Sequence, residues 1–190
     1  MFKNLFWQLR DFPVLETPRL TLRQLLPRDK DDMFEYAQNP EITKYLLWYE
    51  HENVQFTAKY LKYLQPRYRR GEYHDWAIVN NEENKMIGTA GFVTFDTENN
   101  AAEIGYVISH KYHNLGYATE AVKRIINFGF EELALNRIFA RHIAGNDASG
   151  RVMQKCGMTF EGIQRSSMYI KERYRDIALY AITREDYFGN

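Results

Sequence analysis

Leucine alternates with polar residues through Arg19, Leu20, Thr21, Leu22, Arg23, Gln24 and Leu25, a period of two that predicts a strand with one buried face. Pro27-Arg28-Asp29 then opens a helix carrying Met33, Phe34, Tyr36 and Ala37, expected to stop at Asn39-Pro40. A short apolar stretch over 42–48 leads to a second helical pattern over 52–68. Its apolar side is Val54, Ala58, Leu61 and Leu64, and it is expected to break near Pro66 and end around Gly71. Strand patterns return at 75–79 and 86–95 around a polar turn, and again at 103–109, so three consecutive strands form an antiparallel meander. From Gly116 onward Ala118, Ala121, Val122, Ile125, Ile126, Gly129 and Leu133 follow a helical period. A strand over 137–143 receives this helix, which makes a βαβ crossover with the two strands parallel. A helix over 147–156 follows, with Asn146 as N-cap and Gly157 as C′ residue. Strands at 159–163, 166–171 and 174–181 and a short helix at 184–188 complete the chain. The expectation is a single mixed α/β domain over 16–190, with one central mixed sheet, behind an apolar N-terminal arm over 1–15. The arm's Phe2, Leu5, Phe6, Trp7, Leu9 and Phe12 would pack on the body or on a second subunit.

Composition narrows the function. The 190 residues, 45% hydrophobic with 14 Tyr and 12 Phe, suffice for one substantial core. The 25 basic and 25 acidic side chains cancel, so the electrostatic footprint of a general nucleic-acid binder is missing. Arg67, Arg69 and Arg70 read as a solvated helix end. One cysteine, Cys156, allows neither an intrachain disulfide nor a multi-cysteine metal site, and it reads as a small buried apolar residue. No stretch has the length and apolarity of a membrane span. The protein is expected to be soluble and cytoplasmic. His110 and His113 lack a third ligand nearby, so turn positions are preferred for them and no metal is expected.

Candidate chemistry begins at His113-Asn114-Leu115-Gly116-Tyr117-Ala118. A glycine and then a small residue stand where free backbone N–H groups open a helix, which suits a phosphate or pyrophosphate; an ordinary helix start is the competing reading. Tyr45, Trp48, Tyr49, Phe56, Tyr60 and Tyr63 serve as core and rim packing or wall a substrate groove. If Ile104, Tyr106 and Ile108 share one strand face, Glu103, Gly105 and Val107 share the other, and Gly105 leaves room for an approach to the backbone. Glu103 is otherwise a solvated carboxylate at a strand start. Ser149, three residues after Asn146, also fits a helix start, and Arg151 and Lys155 fit a solvated helix face.

The element order, the Gly116-Tyr117-Ala118 turn and the segment Asn146-Asp147-Ala148-Ser149-Gly150-Arg151-Val152-Met153-Gln154-Lys155-Cys156-Gly157-Met158 resemble the GNAT superfamily of acyl-CoA-dependent N-acyltransferases. Within it, Thr17-Pro18-Arg19-Leu20-Thr21-Leu22-Arg23 and Arg175-Asp176 with Tyr180 resemble the RimJ/RimL branch, whose members acetylate N-termini of ribosomal proteins. The likeness covers about residues 15 to 188. It implies that the strands at 103 and 137 splay into a V that receives acetyl-CoA. The N–H groups of Leu115, Gly116, Tyr117, Ala118 and Thr119 would hold the pyrophosphate. His113 and Asn114 depart from residues frequent in the family, without touching those main-chain donors. The main chain of Tyr106, Val107 and Ile108 would bind the pantetheine arm as an added strand, joined by Asn146, and Lys155 and Arg151 would meet the adenosine phosphate. Glu103 becomes the candidate base, acting through water, and Ser149 the candidate acid. The implied reaction is direct attack of a primary amine on the bound thioester, through a tetrahedral intermediate, without a metal. The acceptor is most readily the N-terminal α-amine of a ribosomal protein; a polyamine or aminoglycoside, or a non-catalytic acyl-CoA sensor, is the alternative. The arm and Tyr169, Tyr174 and Tyr180 are candidates for a homodimer interface.

Overall fold

The computed structural model describes residues 12–189, so most of the predicted arm, from Phe2 to Leu9, lies outside the described residues. Phe12 is buried, with its ring 4.9 Å from Tyr68 and 4.4 Å from Trp76, and Trp76 Nε1 donates to the Pro13 carbonyl at 2.7 Å. These contacts fasten the start of the described chain to the core.

Strands β1 (Leu15–Glu16), β2 (Leu20–Arg23), β3 (Asp75–Asn80), β4 (Lys85–Asp96), β5 (Ala101–Ile108), β6 (Arg137–Ile143), β7 (Thr159–Ile170) and β8 (Arg173–Thr183) form one mixed sheet in the order β1-β2-β3-β4-β5-β6-β8-β7. Helices α1 (Lys30–Ala37), α2 (Pro40–Thr43) and α3 (Val54–Arg69) stand between β2 and β3; α4 (Tyr117–Glu131) joins β5 to β6, α5 (Asp147–Lys155) follows β6, and α6 (Arg184–Phe188) ends the chain. Alternation along β3 and β4 separates two layers. Trp76 and Phe92 meet Phe128 of α4, at 5.8 and 6.5 Å between ring centroids. Asp75, Gly91 and Thr89 point to the other face, toward Tyr36 of α1.

The meander β3-β4-β5 and the parallel crossover β5-α4-β6 agree with the pattern of the sequence. The parallel ladder is short. Ala101–Ile104 pair with Arg137–Ala140, after which β5 has no further partner in β6, while Arg141, His142 and Ile143 stay paired with β8. The two strands therefore part, and the gap opens at Gly105.

Four boundaries differ from expectation. Asn39-Pro40 does not simply stop the chain, because Asn39 accepts from Glu41 N at 2.9 Å and Pro40 starts a new turn. Pro66 sits inside α3 without ending it; the carbonyl it leaves free belongs to Lys62, on the exposed side where water serves. The strands expected at 159–163 and 166–171 are one long strand, irregular between Gln164 and Met168. β5 begins two residues early, at Ala101. Among the described residues no helix is long and apolar enough to cross a membrane.

The β3-β4 contact is close enough to be tested. A Cβ on Gly91 would lie 2.2 Å from the His74 carbonyl oxygen and 2.4 Å from Asp75 Cα, both backbone atoms that cannot rotate away. Gly91→Ala is expected to cost about 1–3 kcal/mol in urea unfolding, the range of an overpacked core position.

Candidate active site

Where β5 and β6 part, two cavities meet. One, of about 220 Å³, runs past Val107 and Ile108 to the first turn of α4 and to Arg151 and Lys155 of α5. The other, of about 240 Å³, runs along residues 103–107 of β5 and reaches Asp75, Glu103 and Arg141. Tyr45, Leu46, Tyr106, Val107, Asn146 and Ser149 line both. The junction therefore lies at Tyr106 and Val107, toward the C-terminal end of β5.

The first turn of α4 is built to expose donors. Asn114 (φ 62°) and Gly116 (φ 84°) take the left-handed conformation and swing the chain into the helix. Its first internal bond runs from Glu120 N to the Gly116 carbonyl at 3.0 Å, so the N–H groups of Tyr117, Ala118 and Thr119 have no helical acceptor. Arg19 braces this turn from behind. It donates to the Leu115 carbonyl at 3.1 Å and to Glu120 at 2.6 Å, and its guanidinium lies 4.4 Å from the Tyr117 ring centroid. The Thr17 hydroxyl adds a 2.7 Å bond to Glu120. Burial alone raises the Glu120 carboxyl, but the bonds from Thr17 and Arg19 outweigh it and hold the group below its ordinary range.

The predicted residues separate into two sets. His113, Asn114, Gly116, Ala118, Thr119, Asn146 and Lys155 line the first cavity with the Tyr106–Ile108 backbone. Leu115 and Tyr117 do not: the Leu115 side chain is exposed and its carbonyl serves Arg19, while the Tyr117 hydroxyl accepts from Asn80 at 3.1 Å. The His113 ring lies 2.9 Å from the Ile108 carbonyl, and since a carbonyl only accepts, Nε2 carries the proton. That bond occupies one acceptor at the end of β5.

Ser149 and Tyr106 form a unit that the sequence did not reveal. The Tyr106 hydroxyl lies 2.8 Å from both the Ser149 carbonyl and the Ser149 hydroxyl. With the phenol proton given to the carbonyl, the serine hydroxyl donates to the phenol oxygen. Burial raises the phenol well above its ordinary value, so it stays protonated. Asn146 caps α5 by accepting from Ser149 N at 3.4 Å. Next to it, His142 stacks on Tyr180 and donates Nδ1–H to the Ile143 carbonyl at 2.9 Å, which leaves Nε2 as a buried acceptor without a partner among the described residues.

Two carboxylates reach the second cavity, and their surroundings are opposite. Glu103 is buried, 8% exposed, and each of its oxygens accepts from Arg141, at 2.9 and 2.7 Å. Arg141 lies just beyond the last parallel pair, so this bidentate bond spans the two arms at the point where they part. Glu103 is therefore not the solvated carboxylate that a strand start suggests. Asp75, at the first residue of β3, was not singled out in the sequence. Its Oδ2 accepts from the Tyr73 hydroxyl at 2.9 Å, and it makes no ion pair among the described residues. Burial, unrelieved by a cation, pushes its carboxyl up to about 6.

Other candidates take plainer roles. Cys156 is buried with Sγ 3.7 Å from the Thr119 carbonyl, and burial pushes its thiol up to about 12. It is a core residue. Of the early aromatics, Tyr45 and Trp48 line the second cavity, whereas Tyr49, Phe56 and Tyr63 are exposed.

The model of the acetyltransferase (GNAT) domain matches residues 19–159. YoaA of Bacillus subtilis (strain 168), an uncharacterized N-acetyltransferase, is 32% identical over 173 residues, 91% of this chain and 98% of YoaA. YdaF of the same organism, provisionally named a ribosomal N-acetyltransferase, is 29% identical over 178 residues, 90% of this chain and 94% of YdaF. The crystal structure of a GNAT-family acetyltransferase from Bacillus anthracis superposes with a TM-score of 0.81 at 28% identity, covering 91% of this chain and 99% of that one. The wedge between β5 and β6 is thus found in a chain that belongs to the GNAT family of N-acetyltransferases.

Proposed function

We propose that this protein moves the acetyl group of acetyl-CoA to the α-amine of a protein N-terminus, in the manner of the RimJ/RimL branch and within the cytoplasm. The observation that carries the reading is the junction of the two cavities at Tyr106, Val107 and Ser149. The first cavity fits the cofactor's chemistry: unpaired N–H groups at the α4 N-terminus suit a pyrophosphate, and Arg151 and Lys155 suit a further phosphate. The unpaired edge of β5 suits an amide-bearing arm, with Asn146 beside it. When bound, the cofactor supplies an activated acetyl thioester.

The chain's own groups do the rest. A main-chain N–H of β5 at the junction polarises the thioester carbonyl. The Ser149 hydroxyl, linked to Tyr106, delivers a proton to the departing sulfur. Glu103 acts on the acceptor side through water, since each oxygen keeps a lone pair beyond its bond to Arg141. The second cavity bears on the acceptor. Its two carboxylates are Asp75 and Glu103, and Arg141 compensates the latter. One uncompensated carboxylate among Leu46, Trp48, Met168 and Ile170 suits an acceptor with one ammonium better than a polyamine with several. The provisional name of YdaF points the same way.

Three measurements check this. Acetyl-CoA should bind at one site per chain by calorimetry, and Arg151→Glu with Lys155→Glu should weaken it roughly tenfold or more; no heat with the wild type removes the reading. Thiol release should be seen with peptides that carry a free N-terminal Ser, Ala or Thr, and should vanish when the terminus is blocked; release with spermidine or kanamycin alone would assign a small-amine acceptor instead. Glu103→Gln should keep acetyl-CoA binding and slow turnover by roughly tenfold or more. An unchanged rate would remove Glu103 from the reaction.

A further inference from the structure

Asp75 sits in the second cavity with an arrangement that packing alone does not explain. It pairs in register with Gly91, which pairs in turn with Gly105 of β5. Neither glycine has a side chain of its own: the aspartate leans over Gly91, where a Cβ would lie 2.4 Å from Asp75 Oδ1, and Val93 covers Gly105, where a Cβ would lie 2.9 Å from its Cγ2. The row ends at the residue where β5 loses its partner in β6. Two strand spacings, ~10 Å between Cα atoms, separate Asp75 from Gly105, and the carboxylate shortens that gap toward the junction.

The carboxylate is held on one side only. Tyr73 donates to Oδ2, and because its proton is committed there, the Tyr60 hydroxyl 3.0 Å away donates to Tyr73 in turn. Tyr68 fixes the backbone by donating to the Asp75 carbonyl at 2.5 Å. Oδ1 receives no hydrogen bond among the described residues and opens on the cavity. Among the described residues no cation bonds the carboxylate: Arg67 lies over the Tyr73 ring at 5.6 Å and donates to the Glu72 carbonyl. The phenols of Tyr36, Tyr60, Tyr68 and Tyr73 are all held protonated by burial, and burial also keeps His74 below its ordinary range. Across the cavity Arg141 is committed to Glu103.

We propose that Asp75 is the subsite for the acceptor's ammonium group and takes the proton that the amine must lose. This rests on the acetyl-transfer reading above. The ammonium docks on Oδ1 and transfers one proton to the carboxylate. The freed nitrogen lone pair forms the N–C bond to the thioester carbonyl carbon, and the C–S bond breaks. The sulfur leaves as the thiol with a proton from the Ser149 hydroxyl, which is restored from water; the second amine proton leaves through the water on which Glu103 acts. Asp75 then returns its proton to solvent. The occupant is a primary amine that is cationic at neutral pH and has little charge beyond that one ammonium. A carboxylate with a pKa of about 6 suits the task, being largely ionised at neutral pH and basic enough to accept the proton.

The test uses the full chain and Asp75→Asn, an isosteric change. Acetyl-CoA affinity should agree within about twofold by calorimetry, since Asp75 lies outside the first cavity. With coenzyme A saturating, a hexapeptide with a free N-terminal serine and, separately, spermidine are titrated. Wild type should bind the peptide, and Asp75→Asn should bind it at least about tenfold more weakly. In turnover, Asp75→Asn should lose about 100-fold in kcat, and the acid limb of the wild-type kcat/KM profile near pH 6 should disappear. Methoxyamine, already unprotonated at neutral pH, should lose less than about fivefold, and Asp75→Glu should restore part of the peptide rate.

Stability supplies an independent readout. The folded-state value lies above the unfolded one, about 3.9, so the folded chain holds the extra proton between about pH 4 and 6 and loses stability as pH rises through that window. Asp75→Asn should therefore melt a few degrees above wild type at pH 8, a difference that closes toward pH 4. Failure of the wild type to bind acetyl-CoA would remove the functional reading itself. Acetyl-CoA binding with no amine bound would overturn the subsite alone. An unchanged pH profile, or an equal loss with methoxyamine, would overturn the proton transfer.

Discussion

The structure turns on the brevity of one parallel ladder. β5 and β6 share four register pairs, and beyond Ile104 and Ala140 the polar groups on one edge of β5 have no strand to meet. Edge donors and acceptors inside a fold must find other partners. Some do so within the chain, as where His113 takes the Ile108 carbonyl. The rest face the junction of the two cavities, where the cofactor arm of the proposed function would complete the ladder. On that reading the defect in the sheet is itself the binding site. Glu103 and Arg141 keep it from spreading: their bidentate bond ties the arms where they separate, so the gap has a fixed vertex.

The donors at the first turn of α4 depend on a segment about 100 residues away in sequence. Arg19 and Thr17 hold Glu120, and Arg19 also caps the Leu115 carbonyl. Three consequences follow from one guanidinium. The left-handed turn through Asn114 and Gly116 is kept in place, the negative charge of Glu120 is balanced beside the unpaired N–H groups of the helix start, and the Tyr117 ring is covered. The Thr17-Pro18-Arg19 segment, in the turn between β1 and β2, thus braces the helix start that the proposed function gives to the cofactor. The next basic residue, Arg23, is spent on Asp29, with bonds of 2.8 and 2.7 Å that pin the entry to α1.

This explains what could be read in the sequence and what could not. Periodic elements were legible because burial on one face imposes period two or 3.6, as along β2 and α4. Pro66 misled because the cost of a proline depends on whether its orphaned carbonyl is wet, and that is a property of the fold. The turn at Gly116 was legible because its conformation nearly requires glycine there. Site residues that act through side-chain pairs were less so. Tyr106 was read for its main chain, yet its hydroxyl joins Ser149 across a loop and a helix, and no spacing announces that. Glu103 was singled out, but its partner Arg141 comes from the far end of a crossover. Asp75 left no local mark as a site: the pattern made it the first residue of a strand, and only the register and the lean over Gly91 bring its carboxylate to the cavity.

The two carboxylates also obey one electrostatic rule with opposite results. Burying a charge is unfavourable unless a counter-charge or hydrogen bonds compensate it. Glu103 has both oxygens on a guanidinium, so its charge is stabilised and its geometry fixed where the proposed function has it act through water. Asp75 has one phenol bond and no cation, so its charge is destabilised until a cation arrives. Folding alone would select against such a residue, because an apolar or amide side chain over Gly91 would relieve the penalty. A ligand that brings its own positive charge relieves it as well, and only in the bound state. The instability of the unliganded aspartate then becomes affinity for an ammonium. It becomes basicity too, since a carboxylate that resists ionisation accepts a proton readily. One unfavourable burial supplies both recognition of the acceptor and its activation, while the neighbouring ion pair leaves the wedge unmoved.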